Sequence, residues 1–284
     1  MSRYCFYHAG CPDGFGAAFA VWKAWGDNAR YVARGHDDAP LDSNRLENAI
    51  ATFVDMSPSN DEMRALATQV QELTVLDHHV TARDRYELEP SVVELMVSEG
   101  HRIHFDMSHS GAILAWQHFH PDQEPPALLR YVEDQDLWNW ALPDSEKVNA
   151  ALTSYPRSFD AWSELIEKPI DQLVDEGESL VRANQMQVKR NLTHTHMIRI
   201  NSRRVEAVNA HENKSAIGHA IAERARFEAP WACVYRVTGD RVNCTLYSIG
   251  DFDVASIAVS LGGGGHRNAA GFSVKIEDWI SNFL

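Results

Sequence analysis

Three short apolar runs, Tyr4–Tyr7, Thr52–Val54 and Leu73–Leu76, each stop at a residue able to bind a cation or a phosphate: His8, Asp55 and Asp77. Stretches of helical periodicity follow them, Gly14–Trp25 and Asp61–Gln71, with a third at Ser110–His118. Strand-length runs alternating with amphipathic helices predict an α/β fold with a parallel sheet covered on both faces, because parallel neighbours need a crossover and a helix supplies it. In open sheets of this kind ligands collect at the carboxyl ends of the strands. Those are the positions this chain fills with Asp and His.

The second half has a different character. A long amphipathic stretch, Ile170–Asn191, predicts a linker helix, its apolar face carrying Leu173, Leu180 and Val181. Beyond it come strand patterns at Met197–Ile200 and Val205–Val208, a helix at Ser215–Arg226, and a hairpin of Ala232–Val237 with Val242–Tyr247 turning at Thr238-Gly239-Asp240. At 284 residues the chain is long enough for two cores. The expected division is a catalytic domain over 1–150, a helical linker over 151–194 and a smaller α/β domain over 195–284, with no internal repeat or low-complexity tract.

Lys and Arg number 26 against 40 Asp and Glu, a net charge of -14. A chain so acidic repels long duplex DNA unless positive charge is locally concentrated, whereas a small phosphate ester held by cations stays admissible. No basic region with an apolar signal core opens the sequence, and no stretch approaches the roughly 20 apolar residues of a membrane span. The four cysteines, Cys5, Cys11, Cys233 and Cys244, form no CxxC pair. Neither a zinc knuckle nor a disulfide framework is indicated, so the expectation is a cytoplasmic protein without a membrane partner.

The segment after the first run reads His8-Ala9-Gly10-Cys11-Pro12-Asp13-Gly14 and leads into a helix start, Gly16-Ala17-Ala18, whose N-terminus favours anions. Asp55 ends the second run and Asp77-His78-His79 the third; Asp134 and Asp136 follow the apolar helix Ala127–Val132. Mixed carboxylate and imidazole donors without a thiolate cluster suit Mn2+ or Mg2+ better than structural zinc. Two cations about 3.5–4 Å apart can share a phosphoryl oxygen and activate a water, which explains so many acids in one crevice. Singly, each Asp also reads as a turn or cap residue and each His as polar surface. Four successive element ends carrying them favour a site.

The triplet Asp77-His78-His79, with His8 to Gly14, Phe53-Val54-Asp55 and Val132-Glu133-Asp134, resembles the motifs of the DHH phosphoesterase family. The block Gly262-Gly263-Gly264-Gly265-His266-Arg267-Asn268-Ala269-Ala270-Gly271-Phe272 is similar to the signature of the DHH-associated C-terminal domain. The resemblance runs from Tyr4 to Val274. It implies a catalytic parallel-sheet domain, a linker and a mobile substrate-binding domain that closes over the cleft. It further implies two ions, with Asp55 bridging them, His8, Asp13, His78 and Asp134 as further ligands, Asp77 orienting the imidazoles, and His79 on the reacting phosphate. Gly263, Gly264 and Gly265 would offer backbone N–H groups to a phosphate, with His266, Arg267 and Asn268 beside them.

Two departures stand out. The family's first motif usually offers two acidic residues spaced by one, and here Cys11 stands where the first would be. The segment before the glycines, Leu246-Tyr247-Ser248-Ile249-Gly250, lacks the Arg common at that place. The leading expectation is hydrolysis of very short oligoribonucleotides or linear dinucleotides. Alternatives are a 3′,5′-bisphosphonucleoside, a cyclic dinucleotide, or nucleotide binding without turnover; a homodimer is implied by resemblance only. His101, His104, His194 and His196 join no carboxylate cluster and read as solvated, and Trp138 and Trp140 read as packing residues.

Overall fold

A computed structural model describes residues 1–35, 38–227 and 229–284. The chain divides into two compact units, Met1–Val181 and Arg182–Leu284.

In the first unit, β1 (Arg3–His8), β2 (Arg30–Arg34), β3 (Ile50–Val54), β4 (Glu72–Asp77) and β5 (Arg102–Phe105) form one sheet in the order β2-β1-β3-β4-β5. Every pairing is parallel, with Phe6 beside Phe53 and Phe53 beside Val75. Alternation divides the strand residues between two layers. Cys5, Val54 and Leu76 join the layer of α1 (Pro12–Trp25), while Phe6, Phe53 and Val75 join that of α2 (Asn60–Ala67), α3 (Val80–Glu87) and α4 (Pro90–Ser98). The α1 layer is completed by α5 (Gly111–Phe119), α6 (Ala127–Asp136), α7 (Ser145–Thr153) and α8 (Phe159–Leu165).

This strand order creates the crevice. From β1 the chain leaves through α1 to β2 on one side, and from β3 it leaves through α2 to β4 on the other. The two crossovers cover opposite faces, so the carboxyl ends of β1 and β3 border a topological switch point, where α/β sheets bind ligands. His8 and Asp55 stand at those ends.

Part of the stretch read as a linker is core. Ala151 and Leu152 of α7 and Trp162 and Leu165 of α8 are buried with Phe15 and Phe19 of α1. The linker helix itself is α9 (Ile170–Asn191), and the boundary between the units falls inside it.

The second unit holds β6 (His196–Ile200), β7 (Arg203–Asn209), β8 (Trp231–Thr238), β9 (Arg241–Ser248), β10 (Gly264–His266) and β11 (Ala269–Lys275) in the order β10-β11-β9-β8-β7-β6. Only β7 and β8 pair in parallel. One face packs on α11 (Ala255–Ser260) and α12 (Ile276–Asn282); the other packs on α10 (Lys214–Ala222) through Ile217 and Ile221. The charge is unevenly divided. The second unit carries 13 Lys and Arg against 9 Asp and Glu, whereas the first carries 13 against 31. The second unit thus carries a net positive formal charge within an acidic chain. Among the described residues no helix is long and apolar enough to cross a membrane.

Candidate metal centre

Each candidate ligand reaches the crevice for a local reason. Extended β1 delivers His8, and Cys11 and Pro12 then start α1 as N-cap and first residue, so the next carboxylate, Asp13, sits in the first helical turn. The turn is tight: a Cβ on Gly14 would lie 2.2 Å from the His8 carbonyl oxygen, so only glycine fits. Asp13 is 1% exposed, and its carboxylate accepts from the backbone N–H of Gly111 (2.7 Å) and Ala112 (2.9 Å), opposite charges meeting at the N-terminus of α5.

Asp55 leaves β3 with φ of 56°, a left-handed conformation that aspartate tolerates better than most residues. Such strain persists where the surroundings fix it. Here α5 does so, because a Cβ on Gly111 would lie 2.4 Å from the Asp55 Cβ. The Asp55 carboxylate, 2% exposed, faces two ways. Oδ2 lies 3.4 Å from His8 Nδ1 and 3.4 Å from Cys11 Sγ; Oδ1 lies 3.0 Å from His78 Nε2. His78 Nε2 is also 3.6 Å from Asp13 Oδ2 and 3.6 Å from Asp136 Oδ2. Two donor groups form within the first unit, His8 with Asp55 and His79, and Asp13 with His78 and Asp136, each with ligand atoms within 4.8 Å of one another. Asp55 has one oxygen beside each group.

Asp77 is fully buried and takes no place in either group. Its Oδ1 accepts from the N–H groups of His78 (2.8 Å) and His79 (3.2 Å) and from His79 Nδ1 (2.6 Å), and Ser57 Oγ donates to Oδ2 (2.6 Å). It thus turns the His79 ring so that Nε2 serves the crevice, a positioning role of the kind that carboxylates play behind metal-site imidazoles.

Burial and charge repulsion dominate the electrostatics. Burial, then the charges of Asp55 and Asp136, push Asp13 well above the usual carboxylate range. Burial, only partly offset by His78, lifts Asp136 to about 6. Burial, then Asp55, Asp13 and Asp136, also push the Cys11 thiol well up. Burial would raise Asp55 too, but hydrogen bonds from His78 and His8 win and hold it well below its ordinary value. Burial works to lower His78, and its hydrogen bond with Asp55 and three carboxylate charges carry it up to about 10. The raised Asp13 and Asp136 reflect burial and mutual repulsion among these carboxylates, which a cation between them would relieve.

The residues fit such a cation. Donor atoms around an ion with bonds of about 2.1 Å stand roughly 3.0 Å apart in an octahedral shell and 3.4 Å apart in a tetrahedral one. The separations of 3.0 and 3.4 Å at Asp55 fall in that range, and the two of 3.6 Å at His78 Nε2 lie about 0.2 Å beyond it.

Asp134 departs from expectation. Its carboxylate turns away from the crevice and accepts from the backbone N–H of Ala141 (2.8 Å) and Leu142 (3.2 Å). Asp136, two residues on, faces His78 instead. The signal was present in the sequence: Leu129, Val132 and Asp136 fall at helical spacing on one stripe, while Asp134 lies on another face. Glu133 was also missed as a support; its Oε2 accepts from the Ser110 N–H (2.9 Å) and His109 Nδ1 (3.1 Å) at the start of α5.

The glycine block is a hairpin rather than an open loop. Gly264, Gly265 and His266 form the edge strand β10, paired with Gly271, Ala270 and Ala269. A Cβ on Gly263 would lie 1.9 Å from the Gly271 carbonyl oxygen, so the glycine is required for the close approach. Arg267 donates to the Asp251 carbonyl (2.7 Å), and the Asn268 amide donates to Ser248 Oγ (2.9 Å) and the Gly250 carbonyl (3.0 Å). Both side chains pin the loop after β9.

No family model matches the chain. Among curated proteins, uncharacterized protein R106 of Acanthamoeba polyphaga mimivirus is 27% identical over 290 residues, which cover 94% of this chain and 66% of that protein. The chain thus spans just under two thirds of that relative. Among solved structures, the pGpG-specific phosphodiesterase PggH from Vibrio cholerae is similar with a TM-score of 0.40 and 12% identity over 98% of this chain and 94% of that one. An exopolyphosphatase-related protein from Bacteroides fragilis reaches 0.48 with 13% identity over 99% and 89%. The functional reading rests on the crevice itself.

The remaining histidines divide. His101 is buried and bonded at both nitrogens, to the Leu73 N–H (3.2 Å) and the Ala67 carbonyl (2.9 Å), a core residue rather than a solvated one. His104 and His194 are exposed, and His196 lies 3.3 Å from the Tyr235 hydroxyl.

Proposed function

We propose that this chain is a divalent-metal-dependent phosphodiesterase of the DHH type that hydrolyses very short oligoribonucleotides or linear dinucleotides to mononucleotides. The observation that carries the reading is Asp55, a buried carboxylate with one oxygen beside each of two donor groups at a topological switch point. His8, Asp55 and His79 would hold one ion; Asp13, Asp55, His78 and Asp136 would hold the other. Bound there, Mn2+ or Mg2+ supplies charge to stabilise the phosphoryl oxygens and lowers the pKa of water.

The chain's own residues do the rest. Burial would lower His79, and the charge and hydrogen bond of Asp77 raise it; with Nδ1 held by Asp77, Nε2 is the atom that would face the ion. Asp77 fixes that ring through Nδ1. Gly111 and Ala112 hold Asp13 in place, and the α5 backbone keeps Asp55 in its strained conformation. The second unit is richer in basic than acidic residues and bears the glycine hairpin, a composition that suits an anionic ligand.

Product chromatography tests the proposal. The protein is incubated with 5′-phosphorylated RNA dinucleotides including pGpG, longer oligomers, a 3′,5′-bisphosphonucleoside and cyclic dinucleotides, each with Mn2+ or chelator. Mononucleotide release that needs Mn2+ and favours the shortest RNA is expected. Turnover confined to the bisphosphonucleoside or the cyclic compounds moves the substrate, and binding without any turnover rejects the enzyme.

A further inference from the structure

We propose that Cys11 is a metal ligand, and that the ion position it shares with His8 and Asp55 takes a thiophilic cation of the Zn2+ class, so the two positions of this crevice differ in kind. The inference rests on the reading of the crevice as a metal site and adds the chemistry of one of its ions.

Three donors of three kinds converge there from separate parts of the chain: a ring nitrogen from the end of β1, a sulfur from the N-cap of α1 and a carboxylate oxygen from the end of β3. Cys11 Sγ is 3.4 Å from His8 Nδ1 and 3.4 Å from Asp55 Oδ2, and His8 Nδ1 is 3.4 Å from that same oxygen. With Zn–S near 2.3 Å and Zn–N and Zn–O near 2.0–2.2 Å, a tetrahedral shell spaces its donors about 3.4–3.6 Å apart, so the triangle is one face of such a shell. His79 joins His8 and Asp55 in a donor group, their ligand atoms within 4.8 Å of one another.

A capping role alone accounts poorly for the cysteine. The Gly14 N–H does donate to Sγ (3.1 Å), but Ser, Thr, Asp and Asn are the residues that cap helices well, and a thiol is a weak acceptor. Sulfur does distinguish among cations: thiolates select Zn2+ and its neighbours, whereas Mg2+ and Mn2+ prefer oxygen. The second group, Asp13, His78 and Asp136, contains no sulfur and retains the oxygen-rich character that suits Mn2+ or Mg2+. Binding at the first position releases the Sγ proton to solvent as the S–metal bond forms.

The test is a Co2+ titration of the full chain after chelator treatment, followed by absorption and calorimetry, on wild type, Cys11→Ser and Cys11→Asp. Cys5, Cys233 and Cys244 are each at most 2% exposed within the cores, so a thiolate-to-Co2+ charge-transfer band reports Cys11. The expected result is a band that saturates at one Co2+ per chain and vanishes in both variants. Zn2+ affinity should fall by at least tenfold in Cys11→Ser, and Cys11→Asp should regain preference for Mn2+. Co2+ binding without the band, with Zn2+ affinity unchanged in Cys11→Ser, overturns the assignment of Cys11 and leaves the metal crevice standing. Failure of wild type to bind any divalent cation overturns both.

Discussion

Replacing Asp134 and Asp136 one at a time separates two carboxylates that the sequence places side by side. Asp134 holds the chain after α6: its carboxylate accepts from Ala141 and Leu142, and its carbonyl from Asn139 (2.9 Å) and Trp140 (3.3 Å). The enclosed segment contains two non-glycine residues in the left-handed region, Trp138 at φ 57° and Trp140 at φ 50°. Bonds to a charged acceptor contribute about 1.5–3 kcal/mol each, so Asp134→Ala removes two such bonds and releases a strained loop. Ala141 is exposed and water can replace part of the loss, which places the cost near 2 kcal/mol. For a unit of this size that is a fall in melting temperature of roughly 4–8 °C. Among the described residues Asp136 accepts no such backbone bond, and Asp136→Asn should instead cost one of the two proposed ions. Thermal melts in chelator give the first quantity, and metal analysis after Mn2+ loading and gel filtration gives the second. An Asp134→Ala protein that melts with wild type and loses an ion, beside an Asp136→Asn protein that keeps both, would refute this division of labour.

Three further outcomes follow from the same geometry. Asp136 binds its proton more tightly folded (about 6) than unfolded, so its contribution to metal-free stability is present below about pH 4 and lost as pH rises through 6. The full linkage is about 3 kcal/mol, but its side chain is 27% exposed and solvent screening leaves about 1–2; in chelator, Asp136→Asn should therefore be the more stable protein at pH 8 and lose that advantage by pH 4, as denaturant melts will report. Gly111→Ala places a methyl 2.4 Å from the Asp55 Cβ and should cost about 1–3 kcal/mol while weakening Mn2+ binding in calorimetry. Gly263→Ala collides with the Gly271 carbonyl at 1.9 Å and should lower dinucleotide affinity, measured by fluorescence anisotropy, with the Mn2+ count unchanged.

The legible parts of this chain are those where burial and chemistry coincide in short windows. The central strands β1, β3 and β4 show as apolar runs because both of their faces are covered, and the residue ending or just following each, His8, Asp55 and Asp77, showed where the crevice lies. The hairpin of β8 and β9 and the full extent of α9 were equally clear from alternation and helical periodicity. The edge strands β2 and β5, Arg-Tyr-Val-Ala-Arg and Arg-Ile-His-Phe, were not, because edges carry polar residues where central strands carry Val and Leu. Motif position favours Asp134 over Asp136, although the helical stripe through Leu129 and Val132 points to Asp136. The supports of the site were hidden for a different reason. The bonds from Gly111 and Ala112 to Asp13 join residues about 100 positions apart, and no local pattern reports them.

The central claim, metal-dependent hydrolysis in which Asp55 serves both ion positions, is tested most directly by the rate of mononucleotide release from a 5′-phosphorylated RNA dinucleotide. The rate is followed as divalent cation is returned to chelator-treated protein, for wild type and Asp55→Asn. The account predicts no release without cation, recovery that rises with two bound ions, and loss of both ions' contribution in Asp55→Asn. Release that persists in chelator, or full activity of Asp55→Asn at the same cation concentration, contradicts it.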